Sequence, residues 1–248
     1  MKALILFTFL VGFVFNLQAT AIPQQQETKE LLALWKNEHL KKSEFKQLQA
    51  RTQKAGPKGI ATLIQVMKGQ EFPDRNRWSA TILLSKLMGK DSSQLLVKYT
   101  QHPHWMLRMA ALRGLLGLSE TKYGRVYAES LKDSSLLVRG QALDNIRLLQ
   151  LKEFAPQVWA MIFDERNYYS PKDKAIKRGE IIKKVIRTIG DLKYDSVAKS
   201  LVTMIKKDHY RDIFNDLDYG LEKLSGRRSP QGSIQAKRDF WSKQAVSL

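Results

Sequence analysis

Along most of the chain apolar residues recur every three or four positions, the period that gathers them on one face of an α-helix. The clearest stretch runs from Asp133 to Leu149, Asp-Ser-Ser-Leu-Leu-Val-Arg-Gly-Gln-Ala-Leu-Asp-Asn-Ile-Arg-Leu-Leu. Leu136, Arg139, Ala142, Leu143, Ile146 and Leu149 fall on one side of the helix this predicts, and Gln141, Asp144, Asn145 and Arg147 on the other. Asp133 and Ser134 can accept hydrogen bonds from the free N–H groups of a first turn, so the helix is expected to start there.

The same register returns at Arg77, Arg108 and Arg139, each separated from the next by 31 residues and each followed three positions later by alanine. Arg178 follows after 39 residues and Arg211 after a further 33, with looser matches. A period of this size with two helical patterns per period predicts stacked helical hairpins, each burying its apolar face only against its neighbours. Breaks at Gly89, Gly117, Gly190 and Gly226 are expected to end the helices, placing the pairs at 57–88, 91–118, 122–149, 153–189 and 194–225.

These residues are similar to the HEAT repeat in its short bacterial form. The family motif has an Asp before the second helix, then Val-Arg, then Ala three residues on, and Asp133, Val138, Arg139 and Ala142 match it position for position. The other copies depart from it: six residues before Arg108, Arg77, Arg178 and Arg211 stand His102, Glu71, Lys172 and Ile205. The family's ladder of Asp–Arg pairs is therefore only partly available. The resemblance covers roughly residues 57–226 and implies an all-α, α-α superhelix, a HEAT-like solenoid. Residues 22–56 read as N-terminal capping helices and 227–248, with Phe240 and Trp241, as a C-terminal capping helix of the kind that closes secreted bacterial HEAT proteins.

Residues 1–21 carry Lys2, an apolar run and the small residues Ala19-Thr20-Ala21, which predicts an export signal cleaved after Ala21 or after Ala19. About 15 apolar residues fall short of the roughly 20 needed to span a bilayer. The sequence contains no cysteine, which excludes a lipoprotein signal, disulfides, thiolate metal sites and thiol catalysis. The expected location is the periplasm or the exterior.

The formal charge is +18, and cleavage would leave +17. Such a field attracts anions of any kind, so an acidic protein segment, anionic lipid or a wall polymer is an expected partner; export makes nucleic acid an unexpected one. His102 and His104 could hold a metal but lack a third ligand nearby, and a turn ahead of a helix accounts for them more simply. Catalytic motifs of hydrolases, phosphate loops and zinc proteases are absent from the sequence, and no cofactor is expected. HEAT-like DNA glycosylases and bilin lyases remain as remote enzyme alternatives, the first because Trp78, Arg113, Asp144 and Arg147 could occupy comparable faces.

The resemblance implies that the second helices line a concave face. Positions following each arginine there are Trp78, Ile82 and Lys86, then Met109, Arg113 and Leu116, then Asp144 and Arg147, then Lys183 and Arg187, then Asp212 and Tyr219. The early rows are apolar and the later ones basic, which suits a segment with an apolar stretch followed by acids; the same rows could instead be shared in packing between helices. The insertion at 164–173 offers a second candidate, with Tyr168 and Tyr169 as anchors. The expected function is a non-enzymatic scaffold or adaptor for another envelope protein, with a binder of anionic polymers or membrane surfaces as the alternative.

Overall fold

A computed structural model describes residues 26–169 and 179–244. Arg178 and the segment expected to be a signal lie outside the described residues. The chain is all-α: among the described residues it forms α-helices and short 3₁₀ turns, with no strand. It divides into two compact units, one ending at Ser92 and one beginning at Ser93.

In the first unit, α1 (residues 26–36), α2 (Lys42–Lys54), α3 (Pro57–Lys68) and α4 (Asp74–Met88) follow one another, α2 packing on α3 and α3 on α4. Gly56, at a φ of 56°, makes the turn that Pro57 then leads into a helix. A Cβ at Gly59 would lie 1.9 Å from the Thr52 carbonyl oxygen, so the close approach of α2 and α3 requires glycine. Trp35 is fully buried, its indole N–H donating to Thr52 Oγ1 at 3.1 Å. The Asn76 amide donates to the carbonyls of Trp35 and Asn37, which ties the end of α1 to α4.

The second unit is a series of hairpins: α5 (Ser93–Tyr99) with α6 (Trp105–Gly117), α7 (Gly124–Ser130) with α8 (Leu136–Leu148), α9 (Ala155–Ala160) with α10 (Glu180–Asp191), and α11 (Ala198–Ile205) with α12 (Phe214–Ser225). Each short first helix packs on its longer second helix, and the second helices pack in chain order, α6 on α8, α8 on α10 and α10 on α12. One apolar cluster runs through the unit from Leu96 to Trp241. Ala111 and Ala142 are fully buried in it. A large side chain at either would overpack the contact, at a cost of roughly 1–3 kcal/mol.

One local expectation is corrected. The helix after Asp133 begins at Leu136 with Ser135 as its N-cap, because the Asp133 carboxylate accepts from the Ser135 N–H and is otherwise committed to an arginine of the preceding hairpin. The helix α10 ends at Asp191, one residue past Gly190, where the break was expected; an added Cβ at Gly190 would also be 3.1 Å from the Gly220 Cα of α12. The glycine serves a close crossing of two second helices.

The closing helix α13 (Ile234–Gln244) buries Trp241 completely. Buried Asp218 of α12 accepts from the Trp241 indole at 2.7 Å, from Ser229 Oγ at 3.0 Å and from Lys237 Nζ at 2.5 Å. One carboxylate thus fastens both the connecting segment and α13 to the last hairpin.

Candidate binding face on the second helices

At three of the repeating positions, Arg77, Arg108 and Arg139, the arginine holds a turn, whereas Arg211 is exposed in the 3₁₀ segment before α12. Arg108 of α6 reaches the turn before α8, donating through Nε and Nη2 to the two carboxylate oxygens of Asp133, both at 2.7 Å. Its remaining nitrogen donates to the carbonyls of His102 and Pro103. Arg139 of α8 repeats the arrangement one hairpin on, but Asn167 stands where an Asp would be: Nε donates to Asn167 Oδ1 at 2.8 Å, and the outer nitrogens to the carbonyls of Asp133, Ser134 and Arg166. Arg77, in the first unit, donates to the Met67 carbonyl and pairs with Asp74 at 3.3 Å. Val138 and Ala142 are fully buried beside Arg139. These residues are structural.

The opposite sides of α8, α10 and α12 form an outward face whose charges pair laterally. Lys184 Nζ donates to Asp144 at 2.8 Å, Arg147 pairs with Asp191 at 3.3 Å, and Arg187 Nε donates to Asp216 at 2.5 Å. The Tyr219 hydroxyl donates to Asp191 at 2.6 Å, and Arg187 stacks over the Tyr219 ring. Burial first, then the hydrogen bond to Asp191, raises the Tyr219 phenol above its ordinary pKa. Lys183 donates to Glu180, which holds its ammonium above the usual lysine range. A row that reads as basic in sequence is therefore nearly balanced, because Asp144, Asp191 and Asp216 stand beside Lys184, Arg147 and Arg187.

The predicted row is distributed over both compact units. Trp78 and Ile82 are half-buried on α4 in the first, where Lys86 is exposed. In the second, Met109 and Leu116 are half-buried on α6, Arg113 is exposed, and Arg147, Lys183 and Arg187 lie in the paired network. Of the loop candidates, Tyr168 packs against the core, and burial pushes its phenol up to about 12. Only Tyr169 is exposed; residues 170–173 lie outside the described residues. The Nδ1 of His102 accepts from the His104 N–H within the turn before α6, and no group of three metal-ligating side chains occurs among the described residues.

Sequence periodicity missed the apolar part of this face. Leu137 and Leu148, assigned to no surface role, are 55% and 57% exposed. They stand eleven residues apart, just over three full turns, and so project in nearly the same direction about 16 Å apart. Their position outside the 3–4 spacing of the buried residues is the signal that could have found them. Between α8 and α10 lies a shallow groove of about 260 Å³ lined by Leu136, Leu137, Gly140, Gln141, Asp144, Glu180, Ile181 and Lys184. A larger cleft of about 610 Å³ separates α7 from α9, with Phe163, 74% exposed, at its edge.

The fold and this face define an all-α protein of helical hairpins that pack on their sequence neighbours. Its sequence matches no family model and no curated protein. No helix among the described residues is long and apolar enough to cross a membrane.

Proposed function

We propose that this chain is an exported, non-enzymatic adaptor of HEAT type, which receives a segment of another envelope protein on the outward face of its second helices. The observation that carries the reading is the pair Leu137 and Leu148, more than half exposed on one stripe of α8 within a frame of mutually paired charges. Lateral pairing holds the frame in place, so a partner meets a preorganised surface with apolar anchor points, the arrangement that concentrates binding energy in few residues. Export rests on the sequence of residues 1–21.

The test is a pull-down from an envelope extract with the wild-type chain beside the Leu137→Asp/Leu148→Asp variant. A discrete protein captured by the first and lost with the second is expected. Equal capture by both would reject the face.

A second reading, a binder of anionic polymers or membrane surfaces, is supported by a different observation. Since the second-helix face balances its own charges, the excess positive charge falls elsewhere, on exposed residues such as Lys98, Arg125, Lys132, Lys199, Lys206 and Lys207. Binding of that kind would weaken steeply with salt and ignore Leu137 and Leu148.

A further inference from the structure

The outward stripe of α8 has a spacing that reads the same in both directions. Leu137, Gln141, Asp144 and Leu148 follow one another at intervals of four, three and four residues, the leucines exposed and the two polar residues half-buried. Alternating steps of three and four are those of a seam between two helices. Laid antiparallel against itself, this stripe sets Leu137 opposite Leu148 of the copy, and Gln141 opposite Asp144.

Both polar residues have capacity for that meeting. The Gln141 amide donates one N–H to Asn145 Oδ1 at 2.9 Å and has a second to give. Asp144 takes Lys184 on one oxygen and Arg147 at 3.7 Å on the other, whereas a carboxylate accepts about four hydrogen bonds in all. Between them lies Gly140, where a Cβ would meet only Lys184 Nζ at 3.9 Å, so nothing inside the chain calls for a residue that weakens a helix. Its bare backbone floors the groove of about 260 Å³ beside Leu137.

Charge selects the occupant. Lys184, Arg147, Arg187 and Lys183 pair with Asp144, Asp191, Asp216 and Glu180, so these four pairs on α8, α10 and α12 sum to zero. The formal +18 of the chain lies outside them. Two copies therefore repel one another over their remaining surfaces and meet without that repulsion here. An acidic segment gains nothing from a neutral face that the basic surfaces do not offer more strongly.

We propose that this stripe is the seam of an isologous dimer, in which α8 of one copy lies antiparallel on α8 of a second, Leu137 against Leu148 and Gln141 against Asp144. The groove floored by Gly140 takes the facing Leu148. Dimerisation through α8 goes beyond the adaptor reading and stands without it; a partner segment on the same face would displace the second copy.

The test is sedimentation of the purified chain over a range of protein and salt concentrations, followed by cross-linking. A mass that rises toward twice that of the monomer is expected, and the dimer should tighten as salt screens the repulsion between the positively charged remainders. Leu137→Asp and Gly140→Leu should each raise the dimer dissociation constant at least tenfold at unchanged helical content by circular dichroism. Because the chain has no cysteine, Leu137→Cys and Leu148→Cys each introduce a single thiol. A mixture of these two variants should be joined by a bismaleimide too short to span about 16 Å, the rise over eleven helical residues, whereas neither variant alone should be joined.

A chain that stays monomeric at every concentration and salt would overturn the dimer. So would a dimer indifferent to Leu137→Asp and Gly140→Leu, which would lie on another face, or one loosened by salt. Cross-linking of either variant with itself would overturn the antiparallel register. The extract pull-down decides the adaptor reading separately, since a captured partner differs in mass from a second copy of the chain.

Discussion

Arg139 and Arg147 stand eight residues apart on the same helix and live in opposite settings. Arg139 is 2% exposed and donates to one side-chain amide oxygen and three backbone carbonyls. Arg147, its side chain 33% exposed, pairs with Asp191 at 3.3 Å and with Asp144 at 3.7 Å. The first has replaced water with fixed acceptors on every side, whereas the second still shares its charge with solvent. Arg77, Arg108 and Arg139, at the recurring position, thus build turns, whereas Arg147, off that register, is part of a surface. The distinction lies in the helical phase, not in the residue type.

The largest expected effect is at the turn. Arg139→Ala leaves buried acceptors without donors and should cost about 3–5 kcal/mol, read as a fall in the denaturation midpoint at unchanged slope. Asp133→Ala comes next, at about 2–3 kcal/mol, because Arg108 loses a bidentate partner at a site where both side chains are nearly buried but keeps two backbone carbonyls. Arg147→Met should cost no more than about 1 kcal/mol in the same urea titration, as partly exposed pairs do. If Arg147→Met destabilised the protein as much as Arg139→Ala, the division between turn and face would collapse, and the lateral pairs would have to be counted as part of the core.

Much of the helical layout is legible from the sequence. Ala111 and Ala142 follow Arg108 and Arg139 at the spacing that puts them in the helix contact, and both are fully buried. Trp241 marks the closing helix by its aromatic character in an otherwise polar stretch, and its burial agrees. The partners of the charged residues were not legible, because pairing across neighbouring hairpins joins positions 25 to 44 residues apart. Asn167 is the sharpest case. The motif looks for an acid six residues before the next arginine, yet the acceptor for Arg139 comes from the 3₁₀ turn of an insertion the motif does not contain. Gly190 was read as a helix end, and α10 does end at Asp191, but its second role at the crossing with α12 shows only when that helix is in place.

The candidate face was legible only in outline. Arg147, Lys183 and Arg187 sit on it, but their carboxylate neighbours change its net charge from basic to nearly balanced. The apolar anchors Leu137 and Leu148, and the groove floored by Gly140, emerge only when α10 lies against α8.

Sequence alone determined the helical hairpins, their order, the buried phase of each helix, the absence of thiol chemistry and the positive charge. Each of these follows from composition or from a period of 3.6 residues read within one helix. Tertiary structure alone decided which arginines are buried, which carboxylate or amide each one meets, which glycines serve packing, and where the surface leaves room for a partner. Those outcomes depend on how neighbouring helices pack against one another, and so on contacts between residues that are distant in the chain.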